Sequence, residues 1–132
     1  MTSSKYSFTC KGHPNIQGTH KNTIEFTKDT HVTPRGDCII GVDADFDSEA
    51  LMAFLKDKKT VTISMEARGA RDTVTCKVHH GFSSRREIVL RKGTFLSERT
   101  LGIEADKGAR DVKRELVEAL RQEIKLNITI SV

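Results

Sequence analysis

Near the start of the chain Tyr6, Phe8 and Cys10 alternate with Ser7, Thr9 and Lys11. A period of two predicts a strand with one buried face, ending at Gly12. Alternation resumes in TIEFT at 23–27, where Ile24 and Phe26 share one face and Thr23, Glu25 and Thr27 the other. Between them GHPNIQGTH at 12–20 carries two histidines, Pro14, Asn15 and two glycines, a dense run of turn-forming chemistry. HVTPRG at 31–36 predicts a turn, and the unbroken apolar run CIIGV at 38–42 a buried strand. Asp47 or Ser48 then caps a short helix carrying Leu51, Phe54 and Leu55 at helical spacing.

Val61, Ile63 and Met65 alternate with threonines and serine, and Val74, Cys76 and Val78 repeat the period. RGAR at 68–71 joins the two as a hairpin. A turn at 81–84 leads to a strand through Ile88, Val89 and Leu90. From Lys107 the period changes to that of a helix, with Ala109, Val112, Leu116, Ala119 and Leu120 in one stripe. That predicts an amphipathic helix to about Gln122, before a last alternating strand through Leu126, Ile128 and Ile130. The expected class is α+β: a mainly antiparallel sheet or partly closed β-barrel with one short and one longer helix. With no repeat or long linker, residues 1–132 form one expected domain.

Composition agrees with a globular chain, 36% apolar and 30% charged over 14.8 kDa. No apolar run approaches the roughly 20 residues that span a bilayer, so no membrane partner is expected. MTSSKYSF at 1–8 lacks an apolar signal core. Cys10, Cys38 and Cys76 form an odd set without a CxxC pair, which predicts small buried thiols in a reducing, cytoplasmic setting.

The net charge of +4 is unevenly distributed. Residues 37–49 hold five acids and no Lys or Arg, whereas residues 68–99 hold eight bases and three acids. Gathered on one face, the second segment would attract phosphates or nucleic acid; spread over strands, it would only solvate them.

Most strong motifs are missing. The chain has no P-loop, no GxGxxG, no HExxH and no GxSxG. Asp43, Asp45 and Asp47 open like a calcium loop, but the sixth position is Ser48 and the twelfth Phe54. Cys10-x-x-His13 has metal-like spacing without a second pair, so no metal site is assigned and no cofactor is specified. Acid–base chemistry fits better: His13 and His20 precede Glu25, and a histidine beside a carboxylate is poised near neutral pH. Asn15 and Asp37 border the same loops. Farther on, Arg99 and Lys107 flank the start of the expected long helix, an anion-friendly position, and Asp106 is placed to cap it.

GHPNI at 12–16, the Thr19-His20 pair, TIE at 23–25 and TPRGDCIIG at 33–41 resemble an uncharacterised archaeal family, domain of unknown function number three hundred and seventy-one. RTLGI at 99–103, ADK at 105–107 and REL at 114–116 resemble its C-terminal pattern. The resemblance spans nearly the whole chain and implies an archaeal, cytosolic, single-domain protein, with no activity to carry over. Gly18 and Gly108 stand where the family pattern has Ala.

Three functional readings follow. In the first, His13, His20 and Glu25 act as catalytic acid, base and orienter, while Asn15, Asp37, Arg99, Asp106 and Lys107 hold a small anionic ligand. In the second, residues 68–99 bind RNA or DNA. In the third, the chain is an interaction subunit without a site of its own. Oligomeric state is left open.

Overall fold

A computed structural model describes residues 4–132; residues 1–3, the start of the MTSSKYSF segment, lie outside the described residues. Eight strands and two helices follow the order β1 (Lys5–Lys11), β2 (Thr23–Thr27), β3 (Ile39–Gly41), α1 (Ser48–Leu55), β4 (Thr60–Ala67), β5 (Ala70–Val78), β6 (Glu87–Arg91), β7 (Thr100–Ile103), α2 (Arg114–Ala119) and β8 (Lys125–Ser131). All eight strands join one sheet in the order β1-β8-β4-β5-β7-β6-β2-β3. Most neighbours are antiparallel, but β2 with β3 and β6 with β7 run parallel, so the sheet is mixed. It is not closed. Its two edges approach at one bridge, Lys11 to Val42, with a pair of backbone hydrogen bonds of 2.8 and 2.9 Å.

The alternating positions fold as their period predicts. Val61, Ile63 and Met65 of β4 and Leu126, Ile128 and Ile130 of β8 point into a common core with Phe8, Ile24, Phe26, Leu51 and Leu116. Burying aliphatic and aromatic side chains stabilises by roughly 1.5–3 kcal/mol each, which makes this core the main source of stability. The hairpin at 68–69 is a two-residue turn with Arg68 at φ 50° and Gly69 at φ 81°, the primed geometry that matches strand twist. Asp47 caps α1, its carboxylate accepting from the Ala50 N–H at 3.1 Å.

The expected helix from Lys107 to about Gln122 is divided. Its first part is a 3-10 turn at Ala109–Asp111, and Val112 is extended at φ −66°, ψ 138°. Side chains have taken over the bonds that a continuous helix would make. Asp111 accepts from the Gly108 N–H, and the Arg114 guanidinium donates to the carbonyls of Ala109 and Val112 at 2.7 Å. The apolar stripe survives the break, for Ala109, Val112, Leu116 and Leu120 are all buried. α1, at eight residues, is therefore the longer helix and α2, at six, the shorter. Gly108 is required by space: a Cβ there would stand 2.4 Å from the Lys21 carbonyl oxygen.

Candidate functional site

The loop at 12–20 is a clasp between the start and the end of the chain. Gly12 and His13 donate their N–H groups to the carbonyls of Ile124 and Leu120, at 2.9 and 2.8 Å. Arg114 donates to Gly18 O at 2.8 Å, and Arg110 N–H to His20 O at 2.9 Å. Gly12 has no room for a side chain, since a Cβ would meet Gln122 O at 2.1 Å. The two histidines serve this clasp. His13 Nδ1 accepts from Asn15 N–H at 3.0 Å, and the His13 ring meets His31 edge to face at 5.0 Å. His20 Nδ1 accepts from the N–H groups of Asn22 and Thr23, both at 3.1 Å, and lies 2.8 Å from Thr23 Oγ1. Asn15 donates its side-chain amide to Val32 O, and Asp37 takes the N–H groups of Thr19 and His20 on its backbone carbonyl.

Among the described residues no hydrogen bond joins either imidazole to Glu25, Arg99 or Lys107, which the sequence-based expectation gathers in one cleft. Each imidazole spends one ring nitrogen on its own turn, the local side-chain-to-backbone bonding that organises loops. Lys107 is elsewhere, donating to Asp72 and to Thr73 O, both at 2.6 Å. Asp106 is also elsewhere and is not a helix cap; it pairs with β5, accepting from Thr75 N–H at 3.0 Å. Cys10 points into the core, so its spacing to His13 forms no ligand pair. The three aspartates of the calcium-like run separate too. Asp43 pairs with Lys11, Asp45 with the hydroxyl and N–H of Thr9, and Asp47 with α1.

Glu25 and Arg99 do come together, on the face of β2 opposite Ile24 and Phe26. That face is buried as well, because all five residues of β2 are. Glu25 is 8% exposed, and its register partner on β6 is Val89, also buried but outside the apolar core cluster. Thr27 faces Glu87 and Thr23 faces Arg91, which puts Glu25, Glu87 and Arg91 on one side of the sheet. Arg99 Nη1 lies 2.7 Å from Glu87 and 3.8 Å from Glu25. Cys38 directs its thiol to Glu25 Oε1 at 3.8 Å. Arg91 Nε donates to Thr100 Oγ1 at 2.9 Å while its guanidinium covers the Phe95 ring at 5.0 Å.

Register shifts frame this arrangement. One falls between Glu25 and Phe26 where β2 meets β3, the other between Val89 and Leu90 where β6 meets β7. Such irregularities re-aim side chains beside functional sites. Here they flank the two residues that form the floor of the cluster.

The electrostatics follow from burial. Removal from water pushes the Glu25 carboxyl up to about 8; the hydrogen bond and negative charge of Glu87 add to this, and Arg99 opposes it. Burial and the nearby Glu25 charge push the Cys38 thiol up to about 12. Arg91 is shifted down, first by desolvation and then by the Arg99 charge. Glu25 thus holds its proton far more tightly than an ordinary carboxyl, and the Arg99 guanidinium bridges it to Glu87. The cluster opens to solvent along Arg99, whose side chain is 43% exposed, and beside it Phe95 and Leu96 are exposed apolar residues.

Sequence reasoning found Glu25 and Arg99 but missed Glu87, Arg91 and Thr100. The signal for Glu87 and Arg91 lay in strand parity: both share the parity of Val89, on the face away from Ile88 and Leu90. Thr100 carried no such signal, since it depends on the register shift.

The fold and site define the class: a β-rich α+β protein with a buried glutamate, beside a second carboxyl and an arginine, on the second face of its sheet. The chain belongs to the family described as Domain of unknown function (DUF371), whose model matches residues 8–132. It is 36% identical over 124 residues to an uncharacterized protein of the archaeon Methanocaldococcus jannaschii, covering 89% of this chain and 92% of the relative. Among the described residues no helix is long and apolar enough to cross a membrane.

Proposed function

We propose that the cluster of Glu25, Glu87, Arg91 and Arg99 binds a small anionic ligand, with Glu25 as the proton donor to it. The carrying observation is the buried Glu25 carboxyl, held beside the half-buried Glu87 and the guanidinium of Arg99. A buried carboxyl next to a second one favours its protonated form. A protonated acid next to the partly exposed Arg99 guanidinium suits an anion with an acceptor atom beside its charge, such as a carboxylate or phosphate. Phe95 and Leu96 offer an apolar wall for the rest of that molecule. Three free cysteines fit a reducing cytoplasmic setting.

The nucleic-acid reading ranks below this one on charge. Five of the eight cations in residues 68–99 have acidic partners: Lys77 with Glu104, Arg85 with Glu49, Arg86 with Asp29, Lys92 with Asp111 and Arg99 with Glu87. Paired cations release fewer counterions from a phosphate backbone.

Titration with benzoate and with inorganic phosphate, followed by amide chemical shifts, tests the proposal. Binding to the intact protein should perturb Val89 and Thr100, weaken as pH rises through about 8, and disappear in Arg91→Met. The pH dependence should vanish in Glu25→Gln. Absence of binding by both anions at millimolar concentration and pH 6 overturns the reading.

A further inference from the structure

A second concavity, mainly apolar in its lining, lies beside α1. It has a volume of about 340 Å³ and is bounded by α1 on one side and the turn after β5 on the other. Met52, Ala53, Leu55 and Phe82 supply its apolar lining, and Lys56, His79 and His80 its polar side chains. Ligand cavities run from roughly 300 to 1,000 Å³, so this one fits a molecule of one or two rings.

The chemistry of the two imidazoles is fixed by their outer partners. His79 Nδ1 lies 2.9 Å from the Thr100 carbonyl oxygen. His80 Nε2 lies 2.8 Å from the Lys58 carbonyl oxygen. A carbonyl only accepts, so each of those ring nitrogens carries the hydrogen. In the neutral rings the other nitrogens, His79 Nε2 and His80 Nδ1, are bare acceptors, and neither has a hydrogen-bond partner among the described residues. Gly81 keeps the space beside the His79 ring open: a Cβ there would stand 2.7 Å from Nε2. The cavity thus combines apolar walls with acceptor lone pairs and no fixed donor from either ring. A ligand complementary to it is apolar, flat and supplies its own O–H or N–H.

We propose that this cavity is a second ligand site, taking a small aromatic molecule that donates a hydrogen bond to His79 or His80, with phenols as the representative class. The proposal does not depend on the Glu25 cluster, and its probes are neutral.

Phenol and toluene, nearly equal in size and differing in the hydroxyl, separate the donor requirement from simple apolar burial. In amide and imidazole nitrogen spectra, phenol should shift Ala53, Leu55, Gly81 and the ring nitrogens of His79 or His80. Toluene should bind at least tenfold more weakly. Of His79→Phe and His80→Phe, the one that removes the acceptor should bring phenol close to toluene, a phenol preference kept in both overturning the proposal, while Ala53→Trp, in the lining, should abolish both. Unchanged amide positions in the β1–β8 half, such as Phe8 and Ile128, show that the fold of these variants is intact. Equal affinity for phenol and toluene, absence of phenol binding at millimolar concentration, or ring-nitrogen shifts reporting a proton on His79 Nε2 and His80 Nδ1 would each overturn the proposal.

Discussion

The two halves of the sheet solve different problems. In β1, β8, β4 and β5 the register is unbroken, from Lys5↔Ser131 to Lys11↔Lys125 and from Thr60↔Lys77 to Ala67↔Ala70. Each of these strands has an apolar face turned to the core, and its polar face carries small pairs such as Thr62 with Thr75, 3.0 Å apart. In β2, β3, β6 and β7 the pairing is short, partly parallel and shifted at two points. There both faces of β2 are buried, one in the core and one in the carboxyl–guanidinium cluster. Regular pairing makes the fold, and irregular pairing makes room for charge inside it.

The largest effect should come from breaking the seam between the halves. β5 and β7 pair only at Lys77↔Ile103 and Val78↔Gly102. A Cβ on Gly102 would lie 2.2 Å from Cys76 Sγ, so Gly102→Ala should cost about 3 kcal/mol, seen in chemical denaturation as a lower midpoint. A midpoint within error of the parent would mean that the halves are not mechanically joined there.

Next comes the pH dependence of stability. Glu25 is raised from 4.5 to about 8 in the folded protein, so between those values the native state holds a proton that the unfolded state has lost. Its contribution is complete below about 4.5 and is lost as pH rises through about 8, on the order of a few kcal/mol. Glu25→Gln, a neutral isostere, should flatten this fall and make the variant the more stable form at pH 9. Parallel denaturation curves at pH 5 and 9 for parent and variant would remove the buried acid from the account.

Arg99→Met should act more mildly, by about 1 kcal/mol at pH 8, since the side chain is partly exposed and solvent screens its charge. It should also raise the apparent pKa of Glu25, measured from the side-chain carbon shift; an unmoved or lower value would contradict the pairing. Least of all, Lys77→Ala in the regular half should change stability by under about 0.5 kcal/mol, because its pair with Glu104 is solvent-exposed. A larger loss would mean that surface charge, too, supports the regular half.

The regular half was legible because each strand reads in a period of two and needs nothing else. Even the broken helix kept its readable stripe. What the sequence hid is what requires partners distant along the chain. The 12–20 loop looked like a site because it gathers histidines, glycines and a proline, yet these residues shape a connection that grips Leu120 and Ile124. The polar face of β2 pointed to Glu25, but nothing local said that Glu87 would meet it across a register set by the β6 pairing. Arg114 gave no warning at all, although its guanidinium ties Gly18 to the segment before α2.

The same clasp bears on the order in which the molecule is assembled during synthesis. β1 finds its whole-length partner in β8, with Ser7 and Thr129 separated by 122 positions, and the first loop waits for Leu120 and Ile124. A nascent chain therefore emerges with an amphipathic strand and its loop unpartnered until β8 has been made. Such long-range closure slows folding and leaves an open strand edge in the interval. Emergence of β8, rather than of the first strands, is then the step that permits the sheet to join β1 to β4.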